Sequence, residues 1–204
     1  MSVPRELLGL GLRASDAIRR RCFFWHFLIR GWPLSRRLHV GRSNSFYVPV
    51  RSDGAGSLVI GDRNSFGFRM APKMGSGEIL LQARQPDAII SIGCGNYISN
   101  NASLLANHRI TIGDNCLIGD LVAIYDSDFH EVDPSRRRQG RGQSLPVQIG
   151  NNVWLGSRVM ILKGVTIGEN SVVGAMSLVT KSLPANSVAA GVPAKLVRSF
   201  ERQD

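Results

Sequence analysis

Ile149, Leu155, Ile161, Ile167, Val173 and Val179 stand six residues apart in the C-terminal third of the chain. A helix repeats every 3.6 residues and a flat strand every 2, so a period of six suits neither as a long element. It suits short strands joined by tight turns, each strand forming one side of a coil, which is the hexapeptide pattern of a parallel β-helix. Two places before each anchor stand Val147, Val153, Val159, Val165, Ser171 and Ser177. All are small or β-branched, as a strand entering a tight interior corner requires. Gly150, Gly156, Gly168 and Gly174 follow four anchors, and Asn151, Asn152 and Asn170 fill turns, where Gly and Asn accept positive φ.

The same grammar recurs upstream in Ile112, Ile118 and Ile124 and in Ile92, Ile98 and Leu104. Looser pairs, Ile60/Phe66 and Val40/Phe46, put the first irregular coils near residue 40. Three hexapeptides make a coil of roughly 18 residues, and coils stack at about 4.8 Å, so about six or seven coils are expected. One coil cannot bury its inner face alone, so the stack must be nearly continuous. Two stretches interrupt it. Residues 68–88 read as an irregular surface loop. Residues 125–146 are a polar, Arg-rich excursion between good repeats, and a long loop inside a regular scaffold is usually functional. The expected organisation is all-β: a parallel β-helix over 40–184, a basic amphipathic N-terminal segment over 1–39, helical or irregular, and a C-terminal extension over 185–204.

A chain of 204 residues with this glycine content and moderate charge is one globular domain with appendages. Cys22, Cys94 and Cys116 have neither paired nor metal-like spacing, which points to a reducing compartment and no disulfide. Cys116 falls at an inward repeat position and reads as core. The net charge of +10 is uneven, because residues 1–42 hold nine Arg against two acids. Within them, Arg19 to Trp32 mixes aromatics with flanking arginines around an apolar run too short to span a bilayer. No small-residue cleavage site follows it, so it is a poor signal peptide. Two readings stay open: an amphipathic segment lying on an anionic membrane, or a helix capping the β-helix with its aromatic face. A basic patch alone is weak grounds for nucleic acid, and none is expected as a partner.

Of the four histidines, His26 and His39 read as structural and His108 as a turn residue between repeats. His130 lies in Asp126-Ser-Asp-Phe-His-Glu-Val-Asp-Pro134, at the start of the excursion. An imidazole among acids suits a general base near neutral pH, although a solvated surface histidine shows the same pattern.

At this point the chain resembles the hexapeptide-repeat acyltransferases, nearest the maltose and galactoside O-acetyltransferases and their polysaccharide-biosynthesis relatives. The resemblance runs from about Ile92 to Arg198. It is carried by Ile110-Thr-Ile-Gly-Asp-Asn-Cys-Leu-Ile-Gly119, the His loop, Val147-Gln-Ile-Gly-Asn-Asn-Val-Trp-Leu-Gly156, Ile161-Leu-Lys-Gly-Val-Thr-Ile-Gly-Glu-Asn170, Val179-Thr-Lys181 and Ala189-Ala-Gly-Val-Pro-Ala-Lys-Leu-Val-Arg198. The resemblance implies a left-handed helix, a homotrimer with active sites between subunits, and direct acetyl transfer from acetyl-CoA to a hydroxyl or amine. His130 would be the catalytic base. Trp154 would lie beside the thioester arm, the Gly174-Ala175 turn would contact the pantetheine, and Lys181 and Arg198 would meet the nucleotide phosphates. Lys163 is equally available for phosphate. No metal is implied.

The chain also departs from that pattern. Where the sugar acetyltransferases carry an acceptor-contacting Asn, Ser99 stands here, followed by Asn100 and Asn101. Asn100 is therefore the acceptor contact expected, with Asp128 as a second acceptor contact. His130 is followed by Glu131 in place of the usual Pro, and the N-terminus differs from the compact helical domain of the maltose enzymes. Both features favour a sugar within a glycan precursor over a free small sugar, acetylated in the cytoplasm, at the inner face of a membrane if the N-terminus binds one. An N-acyltransferase on an amino sugar and a non-catalytic binding scaffold are the alternatives. A zinc carbonic anhydrase on this scaffold would need three histidines, two of them close in sequence, and no such pair exists here.

Overall fold

The computed structural model describes residues 17–18, 20–27, 37–68 and 77–200. Much of the N-terminal basic run, residues 69–76 of the first interruption and residues 201–204 lie outside the described residues. The strands follow one another coil by coil. The first three coils are Leu38–Val40, Ser45–Phe46 and Val50–Arg51 (β1–β3), Ser57–Ile60, Ser65–Phe66 and Ile79–Ala83 (β4–β6), and Ile89–Ile92, Tyr97–Ile98 and Ser103–Ala106 (β7–β9). Three more are Arg109–Ile112, Leu117–Ile118 and Ala123–Tyr125 (β10–β12), Val147–Ile149, Trp154–Leu155 and Met160–Ile161 (β13–β15), and Thr166–Ile167, Val172–Val173 and Leu178–Val179 (β16–β18). Ser187–Gly191 (β19) and Ala194–Ser199 (β20) end the chain's regular structure.

Every third strand pairs in parallel, giving a triangular prism. Face A is β1-β4-β7-β10-β13-β16, face C is β3-β6-β9-β12-β15-β18, and face B is β2-β5-β8-β11-β14-β17 extended by β19 and β20. The fold is a left-handed parallel β-helix. A partial further coil follows the sixth: Leu183 bridges to Ile167 on face A and β19 pairs with β17 on face B. The stack thus continues past the boundary expected at 184, and β20 returns antiparallel on β19.

The six anchors of the repeat are all buried, as are the six small or β-branched residues two places before them. The corner between faces A and B takes a left-handed residue once per coil: Ser43, Arg63, Gly95, Asn115, Asn152, Asn170 and Asn186. Inside that corner a polar ladder ties the coils together. Asn44 Oδ1 accepts from the Asn64 N–H, Asn64 Oδ1 from Asn96 and Asn96 Oδ1 from Cys116, at 2.8–2.9 Å. Cys116 is core as expected, and burial pushes its thiol up from the ordinary range.

One expectation needs correcting. Residues 79–83, inside the stretch read as irregular, form the five-residue strand β6. Ile79, Leu81 and Ala83 point inward with a period of two, and the strand pairs with β3 and β9. The hexapeptide spacing fails there because the connection before β6 is long, not because the coil is missing.

At the N-terminal end, residues 17–18 and 20–27 are helical (α1). Phe27 is buried and stacks on Phe46 at 5.3 Å between ring centroids, and Phe46 stacks on Phe66 at 5.0 Å. This aromatic column continues the core beyond the first coil, so α1 covers the open end of the prism.

Candidate active site

The excursion of residues 126–146 leaves face C after β12 and returns to face A at β13. Its base is pinned by Asp126, which is fully buried. Asp126 Oδ1 accepts from the Asn107 N–H at 2.7 Å, and Oδ2 accepts from His108 and Arg109 at 2.7 and 2.6 Å. A carboxylate bonded to three backbone donors is strongly held. Asn107 Nδ2 donates to Ser127 Oγ at 2.9 Å, and that oxygen accepts from the Phe129 N–H at 3.0 Å. Ser127 and Ser144 form an antiparallel bridge that closes the loop at its neck.

Phe129 has a φ of +62°, which is strained for a bulky side chain. Its ring is gripped by Tyr125, edge-on at 5.7 Å, and by the Arg84 guanidinium at 4.6 Å. The next residue is His130. It is exposed, and its imidazole makes no hydrogen bond or ion pair with any described residue. Its backbone packs on Gly142, where an added Cβ would stand 2.4 Å from the His130 carbonyl oxygen. The scaffold therefore fixes the main chain under His130, and both ring nitrogens are without a partner among the described residues. Farther out, the Ser135 hydroxyl and backbone N–H hold the Asp133 carboxyl below its ordinary range.

Asp128 does not face His130 as an ion-pair partner. Its Oδ1 is 2.9 Å from Lys163 Nζ. Lys163 sits on the same prism edge, after β15, so the lysine considered for phosphate contact is engaged in holding the loop. Arg141 reaches Gln85 on that edge as well. Every such contact joins the loop to turns between faces C and A, and the loop stays on that edge.

Face B carries a different feature. Tyr97, Leu117 and Trp154 each precede an inward anchor and so point outward, 57%, 48% and 54% exposed, in register on adjacent strands. With Phe68 they wall a cavity of about 390 Å³. Ser99 lines it too, but Asn100 does not. Asn100 is fully buried, and its Oδ1 accepts from the Phe68 N–H at 3.0 Å. The acceptor contact expected of Asn100 is thus corrected: its side chain braces the corner, and the neighbouring Ser99 faces the groove.

Gly174 and Ala175 form the corner between faces B and C, one coil beyond Trp154, and Arg198 lies exposed on β20 at the end of face B. Lys181, exposed, is on the edge of His130. One chain therefore brings Trp154, Gly174, Ala175 and Arg198 to one side and His130, Asp128 and Lys181 to the opposite edge.

Residues 146–181 match the family described as "Bacterial transferase hexapeptide (six repeats)", and residues 109–120 match "Hexapeptide repeat of succinyl-transferase". Galactoside O-acetyltransferase from Escherichia coli K12 is 46% identical over 115 residues, 56% of this chain and 56% of that protein. Maltose O-acetyltransferase from Clostridium difficile 630 superposes with a TM-score of 0.58 at 30% identity, covering 83% of this chain and 73% of that one. The chain belongs to the hexapeptide-repeat acyltransferases. A hexapeptide-repeat acetyltransferase from Vibrio cholerae, solved with acetyl coenzyme A, has a TM-score of 0.58 at 29% identity, covering 84% of this chain and 76% of that one. The chain spans just over half the length of the curated relatives it matches.

Within this hexapeptide-repeat chain, sequence reasoning missed Asp126 and the outward stripe of Tyr97 and Leu117. The stripe had a signal. A residue just before an inward anchor faces solvent, and three large apolar ones in register are not what a solvated face carries. Asp126 had none, because its partners lie 17 to 19 residues away.

Proposed function

We propose that this protein transfers an acetyl group from acetyl-CoA to a hydroxyl of a sugar or glycan precursor, at a site formed between copies of the chain in a homotrimer. The observation that carries the reading is the placement of His130. A free imidazole on a rigidly held main chain stands on one prism edge, and an apolar groove with an exposed indole lies on the opposite face. Neither makes a transfer site alone. Packing the edge of one copy against face B of the next joins them and covers the apolar stripe.

In the joined site, His130 takes the proton from the acceptor hydroxyl as its oxygen attacks the thioester carbonyl. The C–S bond then breaks directly, CoA leaves as the thiol with the proton that His130 had taken, and no acyl-enzyme forms. Trp154 flanks the thioester arm. The backbone at Gly174 and Ala175 lines the pantetheine, and Lys181 and Arg198 meet the phosphates. Ser99 and the Lys163-held Asp128 flank the acceptor, and backbone N–H groups at the corners stabilise the oxyanion. The similarity to galactoside and maltose acetyltransferases supports a sugar acceptor.

Thiol release from acetyl-CoA, measured against a panel of sugars and glycan precursors, tests the reading. His130→Ala is expected to lower acceptor-dependent kcat by about 10²–10⁴-fold with little change in KM for acetyl-CoA. Acceptor-dependent release that survives the substitution would remove His130 from the chemistry. No release with any acceptor, together with no CoA binding, would favour a non-catalytic scaffold.

A further inference from the structure

Helix α1 has two apolar sides, and capping uses one. Phe23, Phe24 and Phe27 face the core. Ile18 and Trp25 face away from it, 64% and 60% exposed, with exposed Arg21 and Cys22 between them. Positions 18, 21, 22 and 25 follow the spacing of a single helical stripe. Beside the stripe is a cavity of about 260 Å³ lined by Arg20, Arg21, Asn44 and Ser45, among others. Arg20 is held there by the Tyr47 hydroxyl at 3.4 Å and by the tyrosine ring at 5.3 Å from its centroid.

We propose that this end of the molecule docks on an anionic phospholipid bilayer, with Trp25 and Ile18 entering the headgroup layer and a lipid phosphodiester seating beside Arg20 and Arg21. Capping and membrane contact are then functions of opposite sides of one helix. Charge complementarity names the occupant: the segment that supplies the helix, residues 1–42, holds nine Arg against two acids. An indole flanked by guanidinium groups is the composition of an interface-lying helix, and each cation near an anionic surface adds to binding. Among the described residues no helix is long and apolar enough to cross a membrane, and the contact proposed is a peripheral one.

The cap also sets an orientation. It covers the end of the stack, so the prism axis rises from the bilayer. The His130 loop emerges between the fourth and fifth coils, about 15–20 Å above the first. A sugar tethered to a membrane lipid through a diphosphate extends into that layer, a clause that rests on the acyl-transfer reading. In a trimer with its axis along the prism, three caps face one plane and their weak contacts add.

Flotation of the full-length protein with phosphatidylcholine vesicles, with and without phosphatidylglycerol, tests the proposal. Retention is expected only with phosphatidylglycerol, and it should weaken with added salt. Trp25→Ser and Arg21→Glu are each expected to lower partitioning about tenfold or more, with unchanged melting temperature because both positions are exposed. His130→Ala should bind like wild type. No retention, equal retention on phosphatidylcholine alone, or retention indifferent to both variants would overturn the proposal. Complete displacement by millimolar inorganic phosphate would assign the cavity to a free anion and overturn it too. Vesicle binding by a protein that transfers no acetyl group would sink the acyl-transfer reading and leave the docking intact.

Discussion

Asp126 is a buried residue that supports the proposed site without touching it. Its carboxylate has no solvent exposure and is satisfied by three backbone N–H groups of the turn at 107–109. That turn belongs to the preceding coil, so Asp126 fastens the excursion to the scaffold four residues before His130. In Asp126→Asn an amide nitrogen faces at least one of those donors, leaving a buried N–H unpaired at a cost of about 1–3 kcal/mol. The neck of the loop shifts, and His130 shifts with it. A displacement of about 1 Å at a reacting group costs on the order of 10²-fold in rate. Denaturant midpoints and steady-state kinetics read the two effects separately. The expected result is a modest fall in stability with a kcat loss of about 10- to 100-fold. A protein equally destabilised but fully active would show that Asp126 holds the coil and not the base.

At the scale of elements, the excursion is a loop whose conformation is set from outside. Gly142 has a φ of +70°, and an added Cβ would stand 2.4 Å from the His130 carbonyl oxygen. Gly142→Ala therefore adds left-handed strain of about 1–2 kcal/mol as well as a steric push against the segment carrying the imidazole. Transfer activity is expected to fall steeply, while the melting temperature falls by only a few degrees because the coils above and below are untouched. Unchanged kcat in the purified variant would show that the loop adapts. The same loop marks the limit of what the sequence discloses. The coils are legible because a period of six is local and repeats: all six anchors from Ile149 to Val179 are buried. Even β6 is visible in hindsight as the alternation of Ile79, Leu81 and Ala83. The loop obeys no such period. Lys163 holds Asp128 across 35 residues and Arg141 reaches Gln85 across 56. Nothing near Asp128 signals a lysine partner, and nothing around Asn100 reveals that its amide turns into the corner while Ser99 faces the groove.

For the whole molecule, the decisive property is that the two halves of the proposed site lie on opposite sides of the prism. A stripe of Tyr97, Leu117 and Trp154 with Phe68 at its end is a large apolar surface for an isolated chain. In the proposed trimer each edge meets face B of the next copy, and the ring closes. Mixing two inactive variants tests this geometry directly. His130→Ala removes the base and Trp154→Ala removes the indole, and each homogeneous assembly is expected to lose most of its activity. If every site takes His130 from one copy and Trp154 from its neighbour, random assembly of equal amounts leaves about one quarter of the sites with both residues intact. Co-refolded protein should therefore regain up to about a quarter of wild-type turnover, whereas unmixed samples pooled at the same concentration should not. If both residues acted within one chain, no mixed assembly could contain an intact site, and co-refolding would restore nothing. Sedimentation of the same samples separates a ring from a monomer: a closed ring of any number of copies gives about one intact site in four, while a monomer gives none.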